Sequence, residues 1–398
     1  MPQRPRPFDI VHVSSAHPWT DNRVHHRMAS AAAGAGYRTA LVAVTTDGDV
    51  ETDWDGPDAV SGVYVRRIPA RPRARRLCVS APQAVRAALS ARATVVHLHD
   101  PELVWAIPML RLAGRRVVYD AHEDLPDQVR GKEYLGTVGR WVASVLARVL
   151  IRVASRSDAV VAATPDIAER FPAGRTTVVR NVPRLRPADH AAPPTAERPA
   201  VAVYLGALAH DRGLDVLVDV AAAPLPAGWR VVTAGRIDPS VDRRGFDASR
   251  SAGRIDHRGV LEPDAARDLL LGARVGLLPL LPTPAYLRSI PTKLFEYLAA
   301  GLPVIASDVP LWRSLVGDVE CVTWVPAGDA DAIVRAVRRY DADAGLLAAH
   351  ARAGQALVAD RYRWDRESPL LLDVYATLFG VRPTSLPTRG SAADRAAA

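Results

Sequence analysis

Short runs of Val, Ile, Leu and Ala alternate along the chain with longer stretches whose apolar positions recur every three or four residues. The runs are nearly all-apolar, as in strands buried on both faces of a parallel sheet, and the stretches between them have the helical period. In the first half, Phe8–Val13, Thr39–Val44, Val63–Ile68, Thr94–Leu98, Arg116–Tyr119 and Ala159–Ala162 are predicted strands. Helices predicted between them include Arg23–Ala33, stopped by Gly34 and Gly36, and Pro101–Leu112, stopped by Gly114. A second series predicts strands at Val201–Leu205, Arg230–Thr233, Arg254–His257, Val275–Leu278 and Val304–Ala306. Its helices fall at Leu214–Ala222, Pro263–Leu271, Thr292–Ala300, Ala330–Arg339 and Ala344–Val358.

Between the two series, Pro183–Pro199 loses all periodicity and is rich in Pro, Ala and charge. The expected organisation is therefore a Rossmann-like domain over 1–185, a Pro-rich linker over 186–199 and a second domain over 200–364. A helix over 365–380 is free to cross back to the first domain, and the Pro/Ser/Ala/Arg tail 381–398 is expected to be disordered. Two α/β units of similar size on a hinge predict a central cleft that closes on substrate.

Composition narrows the class. Of 398 residues, 48% are hydrophobic and 24% charged, the profile of a globular protein. No run approaches the ~18–20 apolar residues of a membrane span, and no secretory signal is read at the start, so a cytoplasmic site is expected. Cys78 and Cys321 stand far apart without motif spacing, which argues against a cysteine metal cluster or disulfide framework. The net charge of +8 leaves nucleic acid, an anionic membrane surface and an anionic substrate open. The densest basic cluster, Arg66–Arg76, lacks interleaved aromatics and any nucleic-acid module, so no nucleic-acid partner is expected. Of the 51 basic residues all but Lys132 and Lys293 are arginine, a compositional bias rather than a local patch.

The most informative stretch is Ser289–Pro310, SIPTKLFEYLAAGLPVIASDVP. It reads as a loop, a helix opened by Pro291 and closed by Gly301, and a buried strand. Backbone N–H groups at a helix start attract anions, Lys293 lies in the first turn, and Glu296 lies three residues on, near the same face. A diphosphate would meet Lys293 and a ribose could reach Glu296. Taken alone, the pair also fits an ordinary surface ion pair.

The run P-x-K-x-x-E-Y-x-A-A-G-x-P-V-I-A-S resembles the donor-site signature of family 4 retaining glycosyltransferases, which have the GT-B fold. The resemblance implies an α/β protein of two Rossmann-like parallel-sheet domains facing a central cleft, the first on the acceptor side and the second binding a nucleotide-sugar. It assigns the donor phosphates to Lys293 and the ribose to Glu296. A second Glu, frequent in the family eight positions earlier, is replaced here by Arg288, which becomes a candidate sugar contact beside Glu123. The loop Gly206-Ala-Leu-Ala-His-Asp-Arg-Gly213 resembles the family's G-x-x-x-x-x-[KR]-G, so Gly206 and Arg212 are further donor-binding candidates; it also fits a plain tight turn. Val260, in the segment His257–Glu262, is assigned beside the base.

In the first half, a predicted buried strand runs into Asp120-Ala-His-Glu-Asp124, a polar cluster at the carboxyl edge where such sheets bind ligands. By resemblance His122 approaches the transferred sugar and is the catalytic candidate; a loop held by hydrogen bonds is the alternative. Asp21 is a good N-cap. The resemblance turns its loop toward donor phosphates and acceptor, making Asp21 and Arg23 candidate site residues. His97, His99, Asp100, His122 and Glu123 mimic a metal cluster, but their spacing fits no compact site and the family acts without a metal, so no metal or other cofactor is expected. The helix Gly139–Ala154 carries Trp141, Val142, Val145, Leu146, Val149 and Leu150 among arginines, and either packs on the sheet or lies on a membrane.

The expected activity is retaining transfer of a sugar from a nucleotide diphosphate, UDP by family frequency, to an acceptor. That acceptor is a polysaccharide or lipid-linked glycan in preference to a small molecule, with peripheral association at the inner face of the cell membrane as an option. A nucleotide-sugar epimerase of the same fold and a non-catalytic sugar-nucleotide or membrane-binding protein are the alternatives.

Overall fold

The computed structural model describes residues 7–45, 54, 56–122, 137–187, 189 and 192–381. The chain divides into two compact units, one built from the chain up to Asn181 together with the stretch from Asp365, the other running from Val182 to Trp364.

The first unit holds strands β1 (Ile10–Pro18), β2 (Thr39–Thr45), β3 (Tyr64–Pro69), β4 (Val95–Leu98), β5 (Arg116–Ala121), β6 (Ala159–Ala162) and β7 (Thr176–Val178), in the order β3-β2-β1-β4-β5-β6-β7. The second holds β8 (Val201–Leu205), β9 (Arg230–Ala234), β10 (Ile255–His257), β11 (Val275–Leu278), β12 (Val304–Ser307) and β13 (Val322–Val325), in the order β10-β9-β8-β11-β12-β13. Every strand pair is parallel. The chain reverses its direction of winding between β1 and β4 in one sheet, and between β8 and β11 in the other. Loops diverge there, so each unit opens a crevice at the carboxyl ends of those strands.

The apolar runs became the central strands because both of their faces are covered. All residues of β2, β4, β6, β11 and β12 are buried. The strands absent from the sequence expectation, Thr176–Val178 and Val322–Val325, are edge strands only half covered, and lack a continuous apolar run. The helix expected at Arg23–Ala33 begins one residue earlier. Its Asn22–Ala29 part is wound wide, with His26 N–H donating five residues back to Asp21 O, and Ser30–Gly34 completes it as an α-helix. The Pro-rich stretch read as a linker is docked on the second unit in its described residues. Thr195 Oγ1 donates to Gly301 O at 2.7 Å, and Arg198, 4% exposed, donates to Ala300 O at 2.9 Å. Proline suppresses periodicity without preventing side chains from capping a neighbouring helix end. Apart from Val381, the expected tail lies outside the described residues.

Two contacts place the functional elements. Gly276 in β11 lets the helix Thr292–Ala299 approach closely, since a Cβ there would stand 2.4 Å from Tyr297 Cδ2. Tyr297 then accepts the Leu205 N–H at 2.7 Å, pinning that helix to the end of β8. In the first unit, the C-terminal helix Trp364–Leu378 is anchored by Glu367, 2% exposed. Glu367 accepts the Arg180 backbone N–H and Nε at 2.8 Å each and pairs with Nη2 at 2.7 Å. Replacing Glu367 by Ala strands these donors and should destabilise the chain by roughly 2–3 kcal/mol, measured as a lowered urea midpoint.

Candidate functional site

In the second unit the sequence candidates converge at the end of β8. The chain leaves the strand through Gly206, at φ 149°. Lys293 Nζ stands directly over this glycine, where a Cβ would lie 2.0 Å from the ammonium nitrogen. Gly235, at the end of β9, crosses behind, and a Cβ there would lie 1.9 Å from Gly206 O. The loop then makes a tight turn, His210–Arg212, closed by Gly213 at φ 79° against Pro279 O. Asp211 O accepts the Leu281 N–H at 2.9 Å, tying this loop to the segment after β11. Three glycines thus permit close approaches at this end of the sheet, with Lys293 over Gly206 and Arg212 near enough to act on its charge.

The electrostatics are those of a pocket short of negative charge. Burial pulls the Lys293 ammonium down to about 8, Arg212 adds to the fall, and Glu296 and Asp211 oppose it. Lys293 Nζ also lies 5.2 Å from the Tyr204 ring centroid. Pro291 supplies no side-chain cap to the helix Thr292–Ala299, whose first turn carries Lys293. Two cations, open helix N–H groups and a backbone without Cβ atoms suit a phosphate or diphosphate. Glu296 is half-buried one turn on from Lys293, and Val260 is 74% exposed beyond β10. Arg288 is exposed on the turn Tyr286–Arg288.

In the first unit the polar residues gather at the ends of β1, β4 and β5. Asp120, 1% exposed, is held by Arg23 through Nε to Oδ2 at 3.0 Å and Nη2 to Oδ1 at 2.6 Å. His122, just beyond β5, places Nδ1 3.3 Å from Asp120 Oδ2, a bent contact rather than an in-line hydrogen bond. Next to it the His17 ring lies edge-on at 5.2 Å, with Nδ1 3.3 Å from Asp21 and Nε2 3.4 Å from Asp100. Asp21 accepts the Arg23 and Val24 N–H groups at 2.8 Å each, as an N-cap should. Asp21 and Arg23, read as candidates for phosphate or acceptor, therefore both have partners inside the unit, and Arg23 serves to hold Asp120. Glu123 lies outside the described residues.

Asp120 was part of the cluster noticed in the sequence, but its pairing with Arg23, 97 residues away, has no local signal. Neither does Asp100, which accepts from Ser14 Oγ at 2.9 Å and Ser15 N at 2.5 Å. Gly235 could have been found as a second glycine closing a buried strand. Among the described residues, His12, His97 and His99 bring ligand atoms within 4.8 Å of one another, the spacing a metal would need. His12 Nδ1 and His99 Nε2 are instead hydrogen-bonded at 2.9 Å, and His99 Nδ1 is bonded to Asp120 at 3.0 Å.

Known proteins place the chain in a family. A family model described as Glycosyl transferase 4-like domain matches residues 22–182, and one described as Glycosyl transferases group 1 matches 199–343. The chain belongs to this family: it is a GT-B glycosyltransferase of family 4. It is 26% identical over 302 residues to a phosphatidyl-myo-inositol mannosyltransferase of Mycobacterium leprae, covering 71% of this chain and 73% of the relative. Among solved structures it is similar to a sucrose-phosphate synthase of Thermosynechococcus elongatus, with TM-score 0.71 and 20% identity over 94% of this chain and 100% of that one. It is also similar to Anabaena HepE in complex with UDP-glucose, with TM-score 0.63 and 14% identity over 94% and 100% of the two chains.

The pocket charge carries a pH signature. An anion beside Lys293 raises its pKa, so binding at a pH above about 8 must take up a proton. Donor affinity should be flat below that value and fall as the pH rises through it, by up to about ten-fold per pH unit, in calorimetric titrations from neutral to alkaline pH. Gly206→Ala, which displaces the ammonium, should weaken donor binding by about 10–100-fold.

Proposed function

We propose that the protein transfers a sugar from a UDP-linked donor to a lipid-linked or polysaccharide acceptor with retention of anomeric configuration. The observation that carries the donor reading is Lys293 over Gly206 beside Arg212, an anion pocket at the sheet's topological switch point. In this reading Lys293, Arg212 and the start of the helix Thr292–Ala299 take the diphosphate. Glu296 accepts from the ribose hydroxyls and Val260 lies along the base. As the bond from the anomeric carbon to the β-phosphate oxygen breaks, its electron pair goes to the phosphate. The two cations stabilise that charge without a metal. The acceptor hydroxyl attacks from the same face as the leaving group and gives its proton to the departing phosphate oxygen. His122 orients the donor sugar and polarises it. Arg288 and Glu123 are the candidate contacts to the donor sugar.

A uridine donor is supported by Anabaena HepE, whose structure contains UDP-glucose, and a lipid acceptor by the name of the mycobacterial mannosyltransferase. The membership of a glycosyltransferase family sets the epimerase and non-catalytic readings aside. No helix among the described residues is long and apolar enough to cross a membrane. The helix Thr137–Ala154 nevertheless exposes Trp141, Val142, Leu146 and Val149 at 50–65%, and Trp105 and Leu112 are exposed at 48% and 90%. Arg111, Arg115, Arg116 and Arg156 line a hollow of about 700 Å3 that also includes Leu112. Apolar side chains beside arginines suit the inner, anionic face of a cell membrane, where a lipid-linked acceptor would be reached from the cytoplasm.

A thermal-shift panel of UDP-, GDP- and ADP-sugars should single out the UDP series, and stabilisation by GDP-sugars alone would refute the uridine assignment. Lys293→Ala should lower kcat/KM by about 10²–10³-fold, and an unaffected turnover would remove the donor site. Trp141→Glu with Leu146→Glu should abolish co-sedimentation with anionic phospholipid vesicles while leaving donor binding intact.

A further inference from the structure

His12, His97, His99 and Tyr375 are wholly buried, and with Asp120 they form one connected array in the first unit. Tyr375 reaches it from the C-terminal helix. His97 Nδ1 lies 2.8 Å from Tyr375 Oη, Tyr375 Oη 3.4 Å from His12 Nε2, His12 Nδ1 2.9 Å from His99 Nε2, and His99 Nδ1 3.0 Å from Asp120 Oδ2.

The direction of each bond follows from charge. Asp120 is ionised: although burial opposes it, Arg23 and the neighbouring histidines hold its carboxyl well below the usual range. A carboxylate only accepts, so His99 Nδ1 carries a hydrogen. Burial pulls His99, His12 and His97 below their ordinary range, so each is neutral and has a single N–H. His99 Nε2 is therefore an acceptor, and His12 Nδ1 must donate to it. That leaves His12 Nε2 as an acceptor for the Tyr375 hydroxyl, whose oxygen accepts in turn from His97 Nδ1. All the protons point one way, toward Asp120. The opposite polarity would aim a bare nitrogen of His99 at a carboxylate. A cation among these rings would need His12 Nδ1 bare, and would sit beside the Arg23 guanidinium in a site without solvent.

We propose that Tyr375 is a positioning residue for His122: its hydroxyl donates to His12 Nε2 and fixes the far end of the array whose proton order Asp120 sets, His99 donates to Asp120, and Asp120 Oδ2, 3.3 Å from His122 Nδ1, orients that ring with Nδ1 protonated and Nε2 bare. The inference rests on the assignment of His122 to the reacting sugar. It makes docking of the C-terminal helix, clamped by Glu367 to Arg180, a condition for a competent His122. Among the described residues, the charged and titratable groups around His122 are Asp120, His99 and His17 from the sheet and Asp21 from the segment after β1. Arg23 acts on it through Asp120.

Tyr375→Phe keeps the ring and removes only the hydroxyl, so the full-length variant tests the array without a packing defect. Turnover is expected to fall about ten-fold while the donor KM stays within about two-fold. The kcat profile against pH should change shape as well as height, because the array that orients the reacting site has lost its outer hydroxyl. His12→Asn, which keeps an N–H near the place of Nδ1, should retain more activity than His12→Leu. Histidine ¹⁵N spectra should show His122 as the Nδ1–H tautomer in the native chain and as a mixture in Tyr375→Phe. Unchanged turnover and pH profile in Tyr375→Phe would overturn the proposal. So would lost activity with a lowered Tm and an unmoved pH profile, the mark of packing alone. If the native chain neither transfers nor hydrolyses a nucleotide-sugar, the transfer reading fails, and the ¹⁵N signal of His122 still decides for or against the array.

Discussion

The second unit depends on an ammonium resting on a backbone that has no side chain beneath it. Lys293 can stand over Gly206 only because the helix carrying it is drawn in by Gly276 and fixed by Tyr297 to the end of β8. Burial first, and then Arg212 as a second cation nearby, lower the Lys293 pKa to about 8. Relief comes from an anion. Two charges kept in mild conflict suit an anion such as the diphosphate proposed above, in the way that preorganised sites favour developing negative charge.

The first unit solves the opposite problem. Its central charge, Asp120, is fully partnered by Arg23 and His99 before any substrate arrives. Such a network rigidifies its surroundings and exerts no strong pull on an ionic ligand. One unit is therefore suited to bind by charge. The other is suited to orient neutral hydroxyl groups through histidines and carboxylates whose positions are set beforehand, which is the division of labour a glycosyl transfer requires.

What the sequence disclosed follows the same divide. Gly206, Arg212, Lys293 and Glu296 lie in short contiguous motifs, so resemblance to a family signature pointed to them where spacing alone left an ion pair and a tight turn open, and parallel α/β layers were legible from the apolar runs. The array of the first unit was not legible, because it joins His12 to His99, 87 residues apart, and His97 to Tyr375, 278 apart. Arg23 looked like a phosphate ligand in a loop, and only the fold reveals the carboxylate that occupies it. The edge strands Thr176–Val178 and Val322–Val325 escaped because half-covered strands need no continuous apolar run.

Composition gives the choice of Lys at position 293 its meaning. A chain with 51 basic residues uses lysine at two of them, so arginine is the default cation of this sequence. At the end of β8 arginine would not serve. Its planar guanidinium is wider than an ammonium, cannot sit within van der Waals reach of a Cα between two glycine-lined turns, and cannot lower its charge when no anion is present. Lysine is a compact charge on a flexible stem, and its pKa moves readily under burial. An amine whose pKa is lowered to about 8 gives up its proton more readily than arginine could, which eases its coexistence with Arg212 and leaves it free to be recharged by an anion.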